Sequence, residues 1–111
     1  MKIKLKRYFN SSVLVNPGKA KNLYEKLKKI LKLEKEVVLD FSGIKATTFV
    51  FLFVLFTNLW KEYGKDLKSK LAINNAPENL VNQIMYLKKN YKELNEKFSG
   101  NQQSFAISYL G

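Results

Sequence analysis

Asp40, Thr47 and Thr48 are the residues of this sequence whose types and positions best fit a functional site. Asp40 ends the apolar run "VVLD", and the two threonines directly precede a second apolar run. A carboxylate at the end of a buried strand can contact a ligand or tie the turn that follows. A hydroxyl at the start of a helix can cap the helix or accept a phosphate, because this end favours an anion. The candidate site residues are therefore Asp40, Lys45, Thr47 and Thr48, with the threonines as helix caps or candidate phosphosites.

The sequence lacks the side chains that most enzyme mechanisms need. The chain has no cysteine and no histidine, which excludes disulfides, thiol nucleophiles, structural zinc sites and histidine general bases. The segment "SGIKATT" lacks the glycine spacing and the Gly-Lys-Ser/Thr ending of a phosphate-binding loop. We therefore expect a non-enzymatic protein with no catalytic residues, no cofactor and no metal ion.

Positive charge is concentrated in the first third of the chain. The formal net charge is +11, and residues 1–35 contribute +9 because 11 Lys/Arg face only two Glu. Such a region can attract nucleic acid, anionic lipid or an acidic protein. A solvated lysine-rich surface is the alternative, and the presence of a single arginine favours it. The candidate basic surface for nucleic acid consists of Lys2, Lys4, Lys6, Arg7, Lys21, Lys28 and Lys29.

The elements that position these residues are predicted from periodicity and turn signals. "KIKLKRYF" alternates like a strand with Ile3 and Leu5 inward, and "NSSVLV" is typical of a short second strand. Asn16 followed by proline predicts a helix start. The apolar positions from Ala20 to Leu31 lie within an arc of about 120°, with lysines on the remaining circumference. This pattern predicts an amphipathic helix with a basic outer face.

The apolar run after Thr48 is predicted to be a helix that ends before Gly64. Its eight consecutive apolar residues are far fewer than the roughly 20 of a membrane-spanning helix. With no signal-peptide pattern at the N-terminus, we expect a cytoplasmic protein without a membrane segment. Such an apolar helix can also leave residues exposed that favour a homo-oligomer. The candidates for this exposure are Phe51, Leu55 and Trp60.

The remaining segments complete an alternation of strands and helices. "EVVLDFSG" predicts a central strand buried on both faces, "DLKSKLAINN" a further strand, and "SFAISYLG" a last strand. Asn75 is a candidate cap for the helix that begins near Pro77 and ends at Gly100. We predict one α/β domain over residues 1–111, with a mixed, partly parallel sheet of four to five strands and about three helices.

The segment from "VVLDFSGIKATTF" to "INNAPENLV" resembles the STAS domain of anti-sigma-factor antagonists, and more closely the bacterial STAS-like family of unknown function. The resemblance implies a regulatory protein-binding module, with a kinase-like ATPase or a transcription regulator as its partner. It also implies that the partner contacts the turn and helix starting at Thr47, together with Asp40 and Lys45. In STAS antagonists the turn before the apolar helix carries an Asp-Ser-Ser-Gly pattern with a phosphorylated serine. This chain has Ala46-Thr47-Thr48-Phe49 there, without the acidic residue, the serine or the glycine.

Overall fold

Strands and helices alternate along the chain. A computed structural model of the protein describes residues 1–33 and 36–100, except for the side chains of residues 95 and 97–100. The strands are β1 (Lys2–Lys4), β2 (Val13–Leu14), β3 (Val37–Asp40), β4 (Ala46–Thr47) and β5 (Leu71–Asn74). The α-helices are α1 (Leu5–Phe9), α2 (Pro17–Lys32), α3 (Phe49–Tyr63), α4 (Leu67–Lys70) and α5 (Glu78–Gly100), with a 3-10 turn at Gly64–Asp66. The α/β prediction is confirmed, and the predicted strand "SFAISYLG" lies outside the described residues.

The five strands form two small parallel sheets rather than one mixed sheet. The larger sheet has the order β1-β3-β5, and β2 pairs only with β4. Strand β2 lies shortly before α2, and β4 shortly before α3. The short β2–β4 pair therefore ties together the starts of the two helices that pack against each other.

Helices cover one face of the larger sheet. Ile3, Leu39 and Ile73 lie in register across its three strands, and the first two are buried in the core. Helix α3 packs between α2 and α5, and all three contribute buried leucines to the same core. On the opposite face Lys2 and Ala72 are exposed and Val38 is half-buried. Within β3, however, Asp40 on this face is buried, so this strand is largely buried on both faces, as predicted.

The start of α2 and the end of α3 lie where the sequence predicts. The Asn16 side chain accepts hydrogen bonds from the backbone N–H groups of Gly18 and Lys19, which caps α2. Helix α3 ends at Tyr63, and Gly64 follows with a positive φ of 55°, which favours glycine. Within the described residues, none of the helices combines the length and the apolar character needed to span a membrane.

Two segments predicted as strands begin or end as helices. The alternation in "KIKLKRYF" forms a strand only over Lys2–Lys4, and α1 follows. In the same way "DLKSKLAINN" starts as helix α4 before it becomes β5. In α1 a four-residue spacing places Leu5 and Phe9 on one helical face, and in α4 the helical turn buries Leu67 before Leu71 begins the strand. These side chains pack in or against the core, so burial selects the helical turn.

Candidate functional site

Thr48 lies at the start of α3, where its side chain caps the helix. Its Oγ1 atom accepts a hydrogen bond from the backbone N–H of Phe51 at 3.3 Å. Its own backbone N–H donates to the Leu14 carbonyl at 3.0 Å, which attaches the helix start to β2. The Thr48 side chain is nevertheless exposed. The structure therefore places the hydroxyl as a cap that solvent can still reach.

Exposed apolar side chains surround Thr48. Val13 and Val15, on either side of Leu14, are 43% and 50% exposed. On the other side the Phe49 ring lies 6.4 Å from the ring of Tyr86 on α5, which is 54% exposed. We call the surface formed by these residues the Thr48 surface. Its members are Val13, Val15, Thr48, Phe49 and Tyr86.

The prediction that α3 leaves Phe51, Leu55 or Trp60 exposed was wrong. Phe51 and Leu55 are fully buried, and Trp60 is only 8% exposed. The reason is that α3 is the central helix, with α2 on one side and α5 on the other. Among the described residues, the exposed large apolar side chains lie instead in and directly after β2, on the outer side of α5, and at Met1, Tyr8 and Leu33.

Lys45 and Thr47 lie next to this surface. The Lys45 backbone N–H donates to the Ser12 carbonyl at 2.7 Å, and Thr47 pairs with Leu14 in the small sheet. Both residues line a small cavity of about 40 Å³ that Gln83 closes from α5. The Gln83 Oε1 atom is buried and accepts no hydrogen bond within the part of the chain that the structure describes. Of the predicted site residues, the structure thus brings Lys45, Thr47 and Thr48 together.

Asp40 is apart from these three residues because its carboxylate is used inside the fold. The side chain is only 2% exposed. Its Oδ1 atom accepts hydrogen bonds from the Ser42 backbone N–H and the Asn75 Nδ2 group, both at 2.9 Å. Its Oδ2 atom lies 3.5 Å from Lys2 Nζ. Asp40 therefore ties the turn after β3 to the turn after β5.

These contacts also determine the charge of Asp40. The hydrogen bond from Asn75, and those from the backbone and side chain of Ser42, hold the pKa of the Asp40 carboxyl well below its usual range. Burial acts in the opposite direction, and Lys2 adds a smaller stabilisation of the charged form. Asp40 is therefore an ionised carboxylate at neutral pH, and its carboxylate contacts residues of its own chain.

Sequence reasoning missed the role of Asn75. It was predicted as a helix cap, but α5 begins three residues later at Glu78. Asn75 instead has a positive φ of 57° and donates its side-chain hydrogen bond to Asp40. Asparagine tolerates this left-handed conformation better than most residues, which is the only local signal for the role. The partner of Asn75 lies 35 residues away, so no local pattern identifies it.

The predicted basic residues lie on several parts of the surface. Lys28 lies 4.0 Å from Glu62 of α3, whereas Lys26 lies over the ring of Tyr8 of α1 at 4.6 Å. These contacts place the two lysines on opposite flanks of α2. Exposed lysines at positions 21 and 29 also belong to α2, while Lys2 contacts Asp40 in the sheet. A separate group, Lys4, Lys6 and Arg7, lines one cleft beside β1 and α1.

Comparison with known proteins agrees with this architecture at the level of the family. The family model described as "STAS-like domain of unknown function (DUF4325)" matches residues 19–80, from α2 through β5 to the start of α5. The chain belongs to this family of STAS-like domains. No curated protein and no solved structure gives a significant match.

Proposed function

We propose that the chain is a non-catalytic regulatory module that binds a protein partner through the Thr48 surface. The observation that carries the proposal is the exposed cap of α3 with apolar side chains on both sides of it. An apolar patch around a few polar groups is typical of a protein-binding site. By resemblance to STAS domains, the partner is a kinase-like ATPase or a transcription regulator.

The position of Thr48 also supports control of binding by charge. A negative group at a helix start interacts favourably with the helix dipole, so the fold accepts it at this position. The same group placed between Val15 and Phe49 would have to lose water when an apolar partner binds. Phosphorylation of Thr48 would therefore leave the domain folded and weaken its partner interaction.

A capture experiment with two matched variants tests this proposal. The protein is immobilised, exposed to lysate of its own organism, and the bound proteins are quantified by mass spectrometry. Thr48→Asp keeps a good capping residue and adds one negative charge. Asn22→Asp adds the same charge at an exposed position of α2, remote from β2 and β4. We expect Thr48→Asp to lose at least about nine-tenths of a specific partner, and Asn22→Asp to retain it.

The alternative function, nucleic-acid binding through the basic residues, predicts the opposite pattern. In that case Lys28→Glu would reduce capture or oligonucleotide binding, and Thr48→Asp would have the smaller effect. The distribution of these residues over α2, the larger sheet and a separate cleft favours the protein-binding module. A specific partner retained equally by Thr48→Asp and wild type would refute the Thr48 surface as the binding site.

A further inference from the structure

A basic cleft lies on a different part of the molecule from the Thr48 surface. It has a volume of about 720 Å³ and is lined by the end of β1, by α1 and the loop after it, and by the turn after β3. Ligand sites in parallel α/β sheets form at such carboxyl ends of strands. The volume is within the range of about 300–1,000 Å³ that small-molecule sites occupy.

The cleft is positively charged. Three of its lining residues are cations, Lys4, Lys6 and Arg7, and none is acidic. Among the described residues, the ion pairs are Lys2 with Asp40 and Lys28 with Glu62, so none of the three cations is paired there. The nearby Asp40 already contacts Lys2, Ser42 and Asn75. An anion in the cleft would therefore not compete with an internal carboxylate for these cations.

Backbone geometry keeps the cations at the cleft. Gly43 has a positive φ of 79°, and a Cβ atom there would lie 2.8 Å from the Cδ atom of Lys6. The Lys6 side chain therefore passes over Gly43, where a larger residue would displace it. On the other wall Asn10 has a left-handed φ of 51°, and the Ser11 backbone N–H donates to the Lys6 carbonyl at 3.1 Å. The loop after α1 thus folds back on the residues that carry the charge.

The lining also offers neutral donors. The Ser11 hydroxyl is bonded to Val13, and the Ser42 hydroxyl contributes to the environment of Asp40. The Asn10 amide and the Ser12 hydroxyl make no side-chain hydrogen bond to another described residue, and both residues line the cleft. Two lysines, one arginine, an amide and a hydroxyl are all donors that phosphate oxygens accept, and arginine can bind two of these oxygens at once.

We infer that this cleft binds a small molecule through a diphosphate group. A phosphate monoester carries about two negative charges near pH 7, so three cations match a diphosphate better than a single phosphate. Among the described residues that line the cleft none is aromatic, whereas single-stranded nucleic acids are held by bases stacked on aromatic rings. The diphosphate group of a nucleotide or of another small molecule is therefore the recognised part. This inference is independent of the function proposed for the Thr48 surface.

Isothermal titration calorimetry at constant ionic strength tests the inference with inorganic pyrophosphate, ADP, inorganic phosphate and a short oligothymidylate. We expect saturable binding of pyrophosphate and ADP, and weaker binding of phosphate. Arg7→Gln and Lys6→Gln should each raise the Kd for pyrophosphate by about tenfold. Lys29→Gln, which removes one exposed charge from α2, should leave this Kd within about twofold of wild type.

Three results would overturn the inference. The first is the absence of saturable pyrophosphate binding at millimolar concentration and low salt. The second is a Lys29→Gln variant whose pyrophosphate binding is weakened as much as that of Arg7→Gln. The third is an oligothymidylate that binds more tightly than ADP and is weakened by Lys29→Gln, which would indicate an extended nucleic-acid surface. All three cations are exposed, so the variants should fold, and a thermal melt of each variant verifies this.

Discussion

Replacing the Thr48 hydroxyl tests whether this residue caps α3 as the structure indicates. Thr48→Val keeps the shape of the side chain and removes the Oγ1 atom that accepts from the Phe51 N–H. Loss of a capping side chain costs about 0.5–2 kcal/mol of protein stability. The 3.3 Å distance is long for a hydrogen bond, so we expect the lower half of this range, about 0.5–1 kcal/mol.

The neighbouring threonine provides a matched control. Thr47→Val makes the same chemical change one residue earlier, and the Thr47 hydroxyl makes no hydrogen bond to another described side chain or backbone group. Its substitution should change the free energy of unfolding by less than about 0.5 kcal/mol. Thr48→Asp, which restores an acceptor at the cap, should also remain close to wild type.

Urea unfolding followed by circular dichroism, with a thermal melt as a second measurement, distinguishes these variants. For a chain of this size the loss in Thr48→Val corresponds to a Tm about 2–4 °C below wild type. If Thr48→Val melted with wild type while Thr47→Val did not, the capping assignment would be refuted. The charge-control argument would then also fail, because it requires Asp at position 48 to be accepted by the helix start.

Two further predictions concern the core and Asp40. Leu55→Ala, at a fully buried position of α3, should lower the free energy of unfolding by about 3 kcal/mol in urea titrations. Val81→Ala, at a 38% exposed position, should change this free energy by less than about 1 kcal/mol. Equal losses in the two variants would contradict the packing of α3. The folded state lowers the Asp40 pKa below its ordinary value of 3.8, so the unfolded state binds more protons and stability falls as pH decreases below about 5. Asp40→Asn should make urea unfolding less dependent on pH between about 5 and 2, and an unchanged pH dependence would show that Asp40 is not held in its charged form.

The sequence predicted those elements whose signals are local and strong. Asn16 with Pro17 marked the start of α2, and the apolar run before Gly64 marked α3, because a cap, a proline or a glycine acts within a few residues. The alternation in "KIKLKRYF" was too short to distinguish a strand from a helical turn. Leu5 and Phe9 are both placed against the core by the turn that was not predicted.

For the candidate site, the chemistry of individual residues was easier to predict than their neighbours. Thr48 was identified as a cap candidate from the residues that follow it, and the structure places it there. The Asp40–Asn75 hydrogen bond and the separation of Lys28 from the Lys6 cleft depend on tertiary packing, which one sequence does not encode in any local pattern. The exposed neighbours of Thr48, Val13 and Val15, lie in and directly after a strand of only two residues that pairs far along the chain.

The strand order β1-β3-β5 has a consequence for how the chain reaches its folded state. In both pairings of β3 the partner is separated from it by a complete crossover, so each pairing requires closure of a long loop. Contacts of this kind form slowly, because the entropy of loop closure is lost before the contacts can stabilise the chain. During synthesis, β1 and β3 can pair while β5 is still inside the ribosome. The Asp40–Asn75 contact can form only after β5 has emerged, and until then one edge of β3 is open to pairing with another chain.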